Sequence, residues 1–304
     1  MVAPMRWGSA PYDTIFQADA ERATGRVPVV PAILAVIGQP QFNAGNIGMA
    51  LGACKATGKL ASVWASPPAN KLDIGGVALD ALPDHWTIGA LADLLAVHGD
   101  DVMVRAYYEC ANPRKDGKGL RYESPTRWRN LVERFRDRMP ANAKLVMSYG
   151  PNPGKFNPAE WEPKAGTISG FDCSLWGRNH INPKHPAGEN AARFMDFAAS
   201  RKLPLVVGEC GAQPDKDWPG LSGDALDEAM REYFKDLHAL CLGRKARILS
   251  GPYPSDDFGM VVPWTTLPKA TAYMKKALGN PAFFMTQPLV GSPAPVSFAN
   301  LSIG

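Results

Sequence analysis

Eight short apolar runs, mostly joined by helical patterns, alternate along this chain, and that alternation limits the fold more than any other feature. Strand followed by helix, repeated, implies a parallel sheet, because a parallel neighbour can only be reached through a long crossover. Eight such units suggest that the sheet closes into a barrel, an architecture that takes about 250 residues. The 304 residues suit one α/β chain folded as a single (β/α)8 TIM barrel. The barrel is expected over 1–280, with 281–304 as a tail rich in Pro, Gly and Ser that wraps the barrel or meets an assembly partner. No internal linker is long enough to divide the chain.

The strands are expected at Met5–Gly8, 29–37, 60–64, 102–109, 144–149, 168–172, 205–209 and 246–251. Helices are expected at 13–24, where Gly25 is a natural stop, and at 44–57, 88–98, 189–201, 224–242 and 268–278. The clearest helix carries Trp128, Leu131, Val132, Phe135 and Met139 at helical spacing, with charged residues between them. Ser124-Pro125-Thr126 starts it and Pro140 ends it.

Composition narrows the function classes. With 45% hydrophobic and 20% charged residues, a sizeable core can form and disorder is not expected. The net charge of +4 is too mild and too scattered for a nucleic-acid surface. Five cysteines without CxxC spacing indicate reduced thiols, not a disulfide framework or a zinc site. No apolar run approaches the roughly 18 residues of a membrane span. The N-terminus shows no signal peptide, which points to a cytoplasmic protein, a virion component or export by another route. Neither a metal nor an organic cofactor is implied.

Two of the apolar runs close on an acid. Val102-Met103-Val104-Arg105-Ala106-Tyr107-Tyr108-Glu109 forms the fourth, and Leu205-Val206-Val207-Gly208-Glu209 the seventh. Carboxylates at the C-terminal ends of barrel strands lie where barrel enzymes keep their chemistry. A pair of them can act as acid/base and nucleophile on a glycosidic bond, with a separation of about 5–5.5 Å for retention and about 6.5–9.5 Å for inversion.

The motifs around these acids resemble glycoside hydrolase family 26, whose best-known members are β-mannanases. Arg105-Ala106-Tyr107-Tyr108-Glu109 is similar to the family's Arg-x-x-His-Glu, and Lys144 to Asn152 to its Trp-Ser-Pro-Asn strand. Gly170-Phe171-Asp172 is similar to its Gly-x-Asp, and Leu205 to Gly211 to its nucleophile strand. The resemblance implies an endo-acting, retaining hydrolase of a polysaccharide, with Glu109 as acid/base and Glu209 as nucleophile. The acid/base, desolvated beside an anionic nucleophile, would then have a raised pKa. Three positions depart from the pattern. Tyr108 stands for the family's His, Trp64-Ala65 for its Trp-His, and Ser174 for the Tyr that orients the nucleophile. These changes imply weak or no activity on plain β-mannan.

Substrate binding is expected from Arg105, Tyr108, Trp64, Trp176, Tyr149, Asp172 and Trp264. Arg105 has two further readings, orientation of a carboxylate and a structural ion pair. Of Trp7, Trp64, Trp176 and Trp264, all near strand ends, two are expected to line the cleft. Cys110, Cys173 and Cys210 each follow a strand-end acid and should face the helices, because neighbours on a strand point to opposite sides. His180 and His185 lie in a loop that either touches substrate or is simply solvated. The competing function is a non-catalytic barrel that docks glycan in a cell-surface or viral assembly. A lyase or isomerase of phosphorylated metabolites is disfavoured, since the loops after strands seven and eight carry no Gly-rich phosphate cradle.

Overall fold

A computed structural model describes residues 5–8, 20–39, 42–66, 73–74, 77–107, 109–113, 119–151, 154–251, 253–256 and 260–288. Eight parallel strands form its frame: β1 (Met5–Gly8), β2 (Ala32–Val36), β3 (Ala61–Ser66), β4 (Val102–Ala106), β5 (Ala143–Tyr149), β6 (Gly170–Trp176), β7 (Leu205–Ala212) and β8 (Ile248–Ser250). The sheet runs β1-β8-β7-β6-β5-β4-β3-β2, each pair parallel. Around it lie α1 (Ala44–Ala56), α2 (Trp86–His98), α3 (Pro125–Arg138), α4 (Pro186–Ser200), α5 (Gly223–Gly243) and α6 (Pro268–Leu278). This is the expected (β/α)8 barrel. Of the helix expected at 13–24, only 20–24 falls within the described residues, and it is helical there.

Period-two alternation sorts the strand residues into two cores. Val30, Leu60, Met103, Val146, Val206 and Ile248 meet inside the barrel. Their neighbours Ala61, Val104, Leu145, Met147, Val207 and Leu249 face outward and join the helices in the larger cluster. A strand buried on both faces must be apolar at nearly every position, which is why these strands read as continuous runs.

The seam between β1 and β2 carries no direct ladder among the described residues. Phe284–Met285 instead pairs parallel with the free edge of β1, and Gln287–Pro288 pairs antiparallel with Arg26–Val27, just before β2. No helix among the described residues is long and apolar enough to cross a membrane.

Strand ends differ from the sequence reading at three places that matter. β4 stops at Ala106, so Glu109 lies beyond the strand. β6 continues past Asp172 to Trp176, and β7 continues past Glu209 to Ala212. In both, polar residues break the apolar run in the sequence but find hydrogen-bond partners inside the barrel, which removes the objection to burying them.

Candidate active site

The site is organised around Arg105, which β4 points into the barrel and whose side chain has 0% exposure. Its Nε donates to Asp172 Oδ2 at 2.5 Å, and one Nη donates to Ser148 Oγ at 3.2 Å and Ser174 Oγ at 3.0 Å. The other Nη lies 3.7 Å from Glu209 Oε2. The guanidinium stacks 3.9 Å above the Trp64 ring. Burial alone would lower the Arg105 pKa, but Asp172, Glu209 and Glu109 together raise it, so its charge is secure. A cation so enclosed orients carboxylates; of the three roles open to Arg105, the geometry favours that one.

Asp172 completes the support. Its Oδ1 accepts from Gly208 N at 2.6 Å while Oδ2 holds Arg105. Gly208 is required at this point, because a Cβ there would lie 2.5 Å from Asp172 Oδ1 and 3.0 Å from Arg105 Nε. The same glycine marks a bulge. Val206 is level with Asp172 and Glu209 with Ser174, so β7 spends an extra residue against β6. An odd spacing would normally send Val206 and Glu209 to opposite faces. The bulge brings both to the barrel interior.

Glu109 arrives by another route. After β4 the chain turns through left-handed conformations at Tyr107 (φ 48°) and Glu109 (φ 57°). Non-glycine residues seldom hold this geometry unless their surroundings enforce it. Here Trp128 Nε1, from α3, donates to Tyr107 O at 2.9 Å, and Cys110 N donates to Ser148 O at 2.9 Å. Arg121 lies 3.4 Å from Glu109 Oε2.

Glu109 and Glu209 share this site, and each acts on Arg105. Their side chains are 16% and 10% exposed. Burial pushes the Glu209 carboxyl up to about 7; Arg105 pulls it down, Glu109 pushes it up, and the Trp176 side chain, hydrogen-bonded to it, pulls it down. Burial thus raises the carboxyl of Glu209, a property that the sequence does not reveal for this residue. The bulge explains this: it seats Glu209 inside the barrel, while Glu109 stands on a turn at the rim.

The remaining expected residues divide. Trp176 is half-buried at the site, and Trp64 is buried beneath Arg105. Tyr149 and Trp264 are not brought there. Tyr149 alternates outward with Leu145 and Met147, stacking on Phe156 at 3.8 Å and packing on Phe194 of α4; Ser148 takes the inward position. Trp264 stacks on Phe234 of α5 at 5.4 Å. Tyr108 and the Trp7 side chain lie outside the described residues. Cys110, Cys173 and Cys210 are buried free thiols in the helix-facing core, their pKa values pushed well up by burial. His180 and His185 serve the fold: His180 Nδ1 accepts from Trp176 N at 2.9 Å, and His185 Nδ1 accepts from Ala187 N at the start of α4. No group of three or more His, Cys, Asp or Glu among the described residues could hold a metal ion.

Sequence reading missed Ser148, Arg121 and Gly208, and saw Ser174 only as a departure from the family pattern. The serines look like interruptions in apolar runs. Arg121 precedes the cap of α3 with nothing in the sequence to tie it to Glu109. Gly208 carried a usable signal, a glycine directly before a strand-borne acid.

No family model and no curated protein matches the chain by sequence. Solved structures do match by fold. The family 26 glycoside hydrolase domain of an endo-β-mannanase/endo-β-glucanase from Prevotella bryantii superposes with a TM-score of 0.60 at 13% identity, covering 93% of this chain and 90% of that one. An endo-β-1,4-mannanase from Cellulomonas fimi, a double mutant, gives 0.65 at 16% identity, covering 97% and 75%. A β-mannanase from a symbiotic protist of the termite Reticulitermes speratus, complexed with gluco-manno-oligosaccharide, gives 0.60 at 12% identity, covering 93% and 88%. The barrel is thus similar in fold to the family 26 glycoside hydrolases.

Proposed function

We propose that this chain is a retaining glycoside hydrolase that cleaves a polysaccharide by double displacement, divergent from the family 26 mannanases it is similar to. The observation that carries the reading is Glu209 Oε2 at 3.7 Å from one buried arginine inside the barrel, with Glu109, on the turn after β4, acting on the same cation. Glu209 acts as nucleophile. Arg105 and Trp176 favour its ionised form, which is the form that attacks the anomeric carbon. Glu109 acts as acid/base: it protonates the leaving oxygen, then takes a proton from the water that releases the sugar. Arg121, 3.4 Å from Glu109 Oε2, lies beside it. Retention requires the two carboxyl groups about 5–6 Å apart in the substrate complex.

Specificity is set apart from plain β-mannan by Tyr108, Ala65 and Ser174. At 174 a short hydroxyl accepts from an Arg105 Nη in place of a longer phenol, so the support of the nucleophile differs there.

The test is a reducing-sugar screen over plant, bacterial and capsular polysaccharides with Glu209→Ala as control. On the best substrate, Glu209→Ala should be inactive. Glu109→Ala should keep much of its first-step rate on an activated aryl glycoside and lose most of it on the polymer, because a good leaving group departs unprotonated. Added azide should give an inverted product with Glu209→Ala and a retained one with Glu109→Ala. The opposite pattern reverses the two roles. Glycan binding without turnover on any polymer would leave a docking barrel instead of an enzyme.

A further inference from the structure

The ends of β6 and β7 are laced together by a side chain that the proposed chemistry does not use. Asp217 closes the helical turn Pro214–Asp217 that follows β7, and it is buried. Its Oδ1 accepts from Arg178 N at 3.0 Å and its Oδ2 from Gln213 N at 2.8 Å. One carboxylate therefore grips the chain just past both strands. Between the two grips, Gly177 N donates to Gly211 O at 2.7 Å, and an Arg178 Nη donates to the Asp217 carbonyl at 3.2 Å. The fit leaves no slack: Gly177 turns at φ 76°, and a Cβ there would lie 2.8 Å from Asp217 Oδ1.

Burial raises the Asp217 carboxyl above the ordinary aspartate range, with the two N–H donors pulling against it. A buried carboxylate costs stability, but it also has a geometric effect. That effect falls on the active site. Trp176, directly before Gly177, is level with Gly211, and Glu209 is level with Ser174, so the two face the same interior. The Trp176 backbone is held from its other side by His180 Nδ1.

We propose that Asp217 is a positioning residue: it clamps the loops after β6 and β7 so that Trp176 stays against the Glu209 carboxylate. Its effect on turnover rests on Glu209 being the nucleophile; the clamp itself is read without turnover.

The test follows the Glu209 carboxyl by carbon NMR and the Trp176 indole N–H by nitrogen NMR across a pH titration, in the full chain and in Asp217→Asn and Trp176→Phe. The groups facing Glu209 are Arg105 from β4, Glu109 from the turn after it, and Asp172 from β6, and both variants keep all three. The sign decides the outcome. Removing the Asp217 charge alone would let Glu209 ionise more easily and lower its midpoint. Losing the Trp176 donor raises it, by about one pH unit for a hydrogen bond to a charged group. Asp217→Asn should therefore raise the Glu209 midpoint and uncouple the indole resonance from it. Trp176→Phe, with the clamp intact, should give the same rise, and the double variant no more than either. A lowered or unchanged midpoint in Asp217→Asn overturns the clamp. So does an unchanged midpoint in Trp176→Phe, even where Asp217→Asn fails to fold. If the chain cuts no glycan while the titrations behave as stated, the hydrolase reading fails and the clamp stands.

Discussion

At the scale of single residues, Glu209 carries opposed demands. As the proposed nucleophile it must be ionised, yet the barrel interior favours its neutral form and lifts its pKa to about 7. An unfolded glutamate titrates near 4.3. Between those values the unfolded chain releases its proton first, so stability from this group falls as pH rises from about 4.3 to 7 and stays at the lower level above. Glu209→Gln removes that loss. It should melt with the native protein near pH 4 and above it at pH 8, while abolishing turnover; a stability gain independent of pH would show that Glu209 is not the strained group. Under the proposed mechanism the same carboxyl sets the activity profile: kcat/KM should climb with pH through about 7 as Glu209 ionises. A profile that instead falls through that pH would make Glu209 the proton donor. Glu209 itself was legible in the sequence as an acid on an apolar strand. Its raised pKa was not, because burial depends on which face of the strand it occupies.

Elements determine that face. The order and spacing of the strands were readable, since strands buried on both sides must be apolar throughout. Their ends were not. Asp172 and Ser174 look like the end of a strand until Arg105, a distant residue in sequence, supplies their hydrogen bonds. Tyr149 looks like a strand-end aromatic for sugar stacking, but the parity of β5 turns it toward α4. The bulge at Gly208 is the decisive irregularity, because it returns Glu209 to the interior. Gly208→Ala would drive a Cβ into Asp172 and Arg105. Overpacking of this kind costs about 1–3 kcal/mol. The larger expected effect is on catalysis, since relief of the clash must move either the β7 backbone or the Arg105–Asp172 pair. Turnover should drop far more than the denaturation midpoint; proportional losses in both would reduce Gly208 to a packing role.

At the scale of the whole molecule, eight strand–helix units were evident in the sequence but the way they close was not. A two-residue strand such as Phe284–Met285, in a stretch rich in Pro and Gly, lies below what periodicity can detect. Yet it occupies the edge of β1 that faces the seam: Met5 N donates to Phe283 O at 2.8 Å, and Phe284 is buried against His238 of α5 at a ring distance of 5.0 Å. Thr286 Oγ1 donates to Leu278 O at 2.9 Å at the end of α6, and Gln287–Pro288 reaches across to the run before β2. The C-terminal segment thus acts as the stitch between first and second strands. Comparing a chain ending at Pro288 with one ending at Asn280 isolates it. The shorter chain should melt about 10 °C lower, given about 3–5 kcal/mol for a lost buried phenylalanine and a few degrees per kcal/mol. It should also aggregate more readily, because the free edge of β1 becomes a template for pairing with another chain. The strands of the candidate site, β4, β6 and β7, lie away from this seam in the sheet order. Turnover per folded molecule should therefore survive in the shorter chain at a temperature below its melting point. If instead the two chains melt together, the barrel closes without the stitch, and direct contact between β1 and β2 must hold the seam.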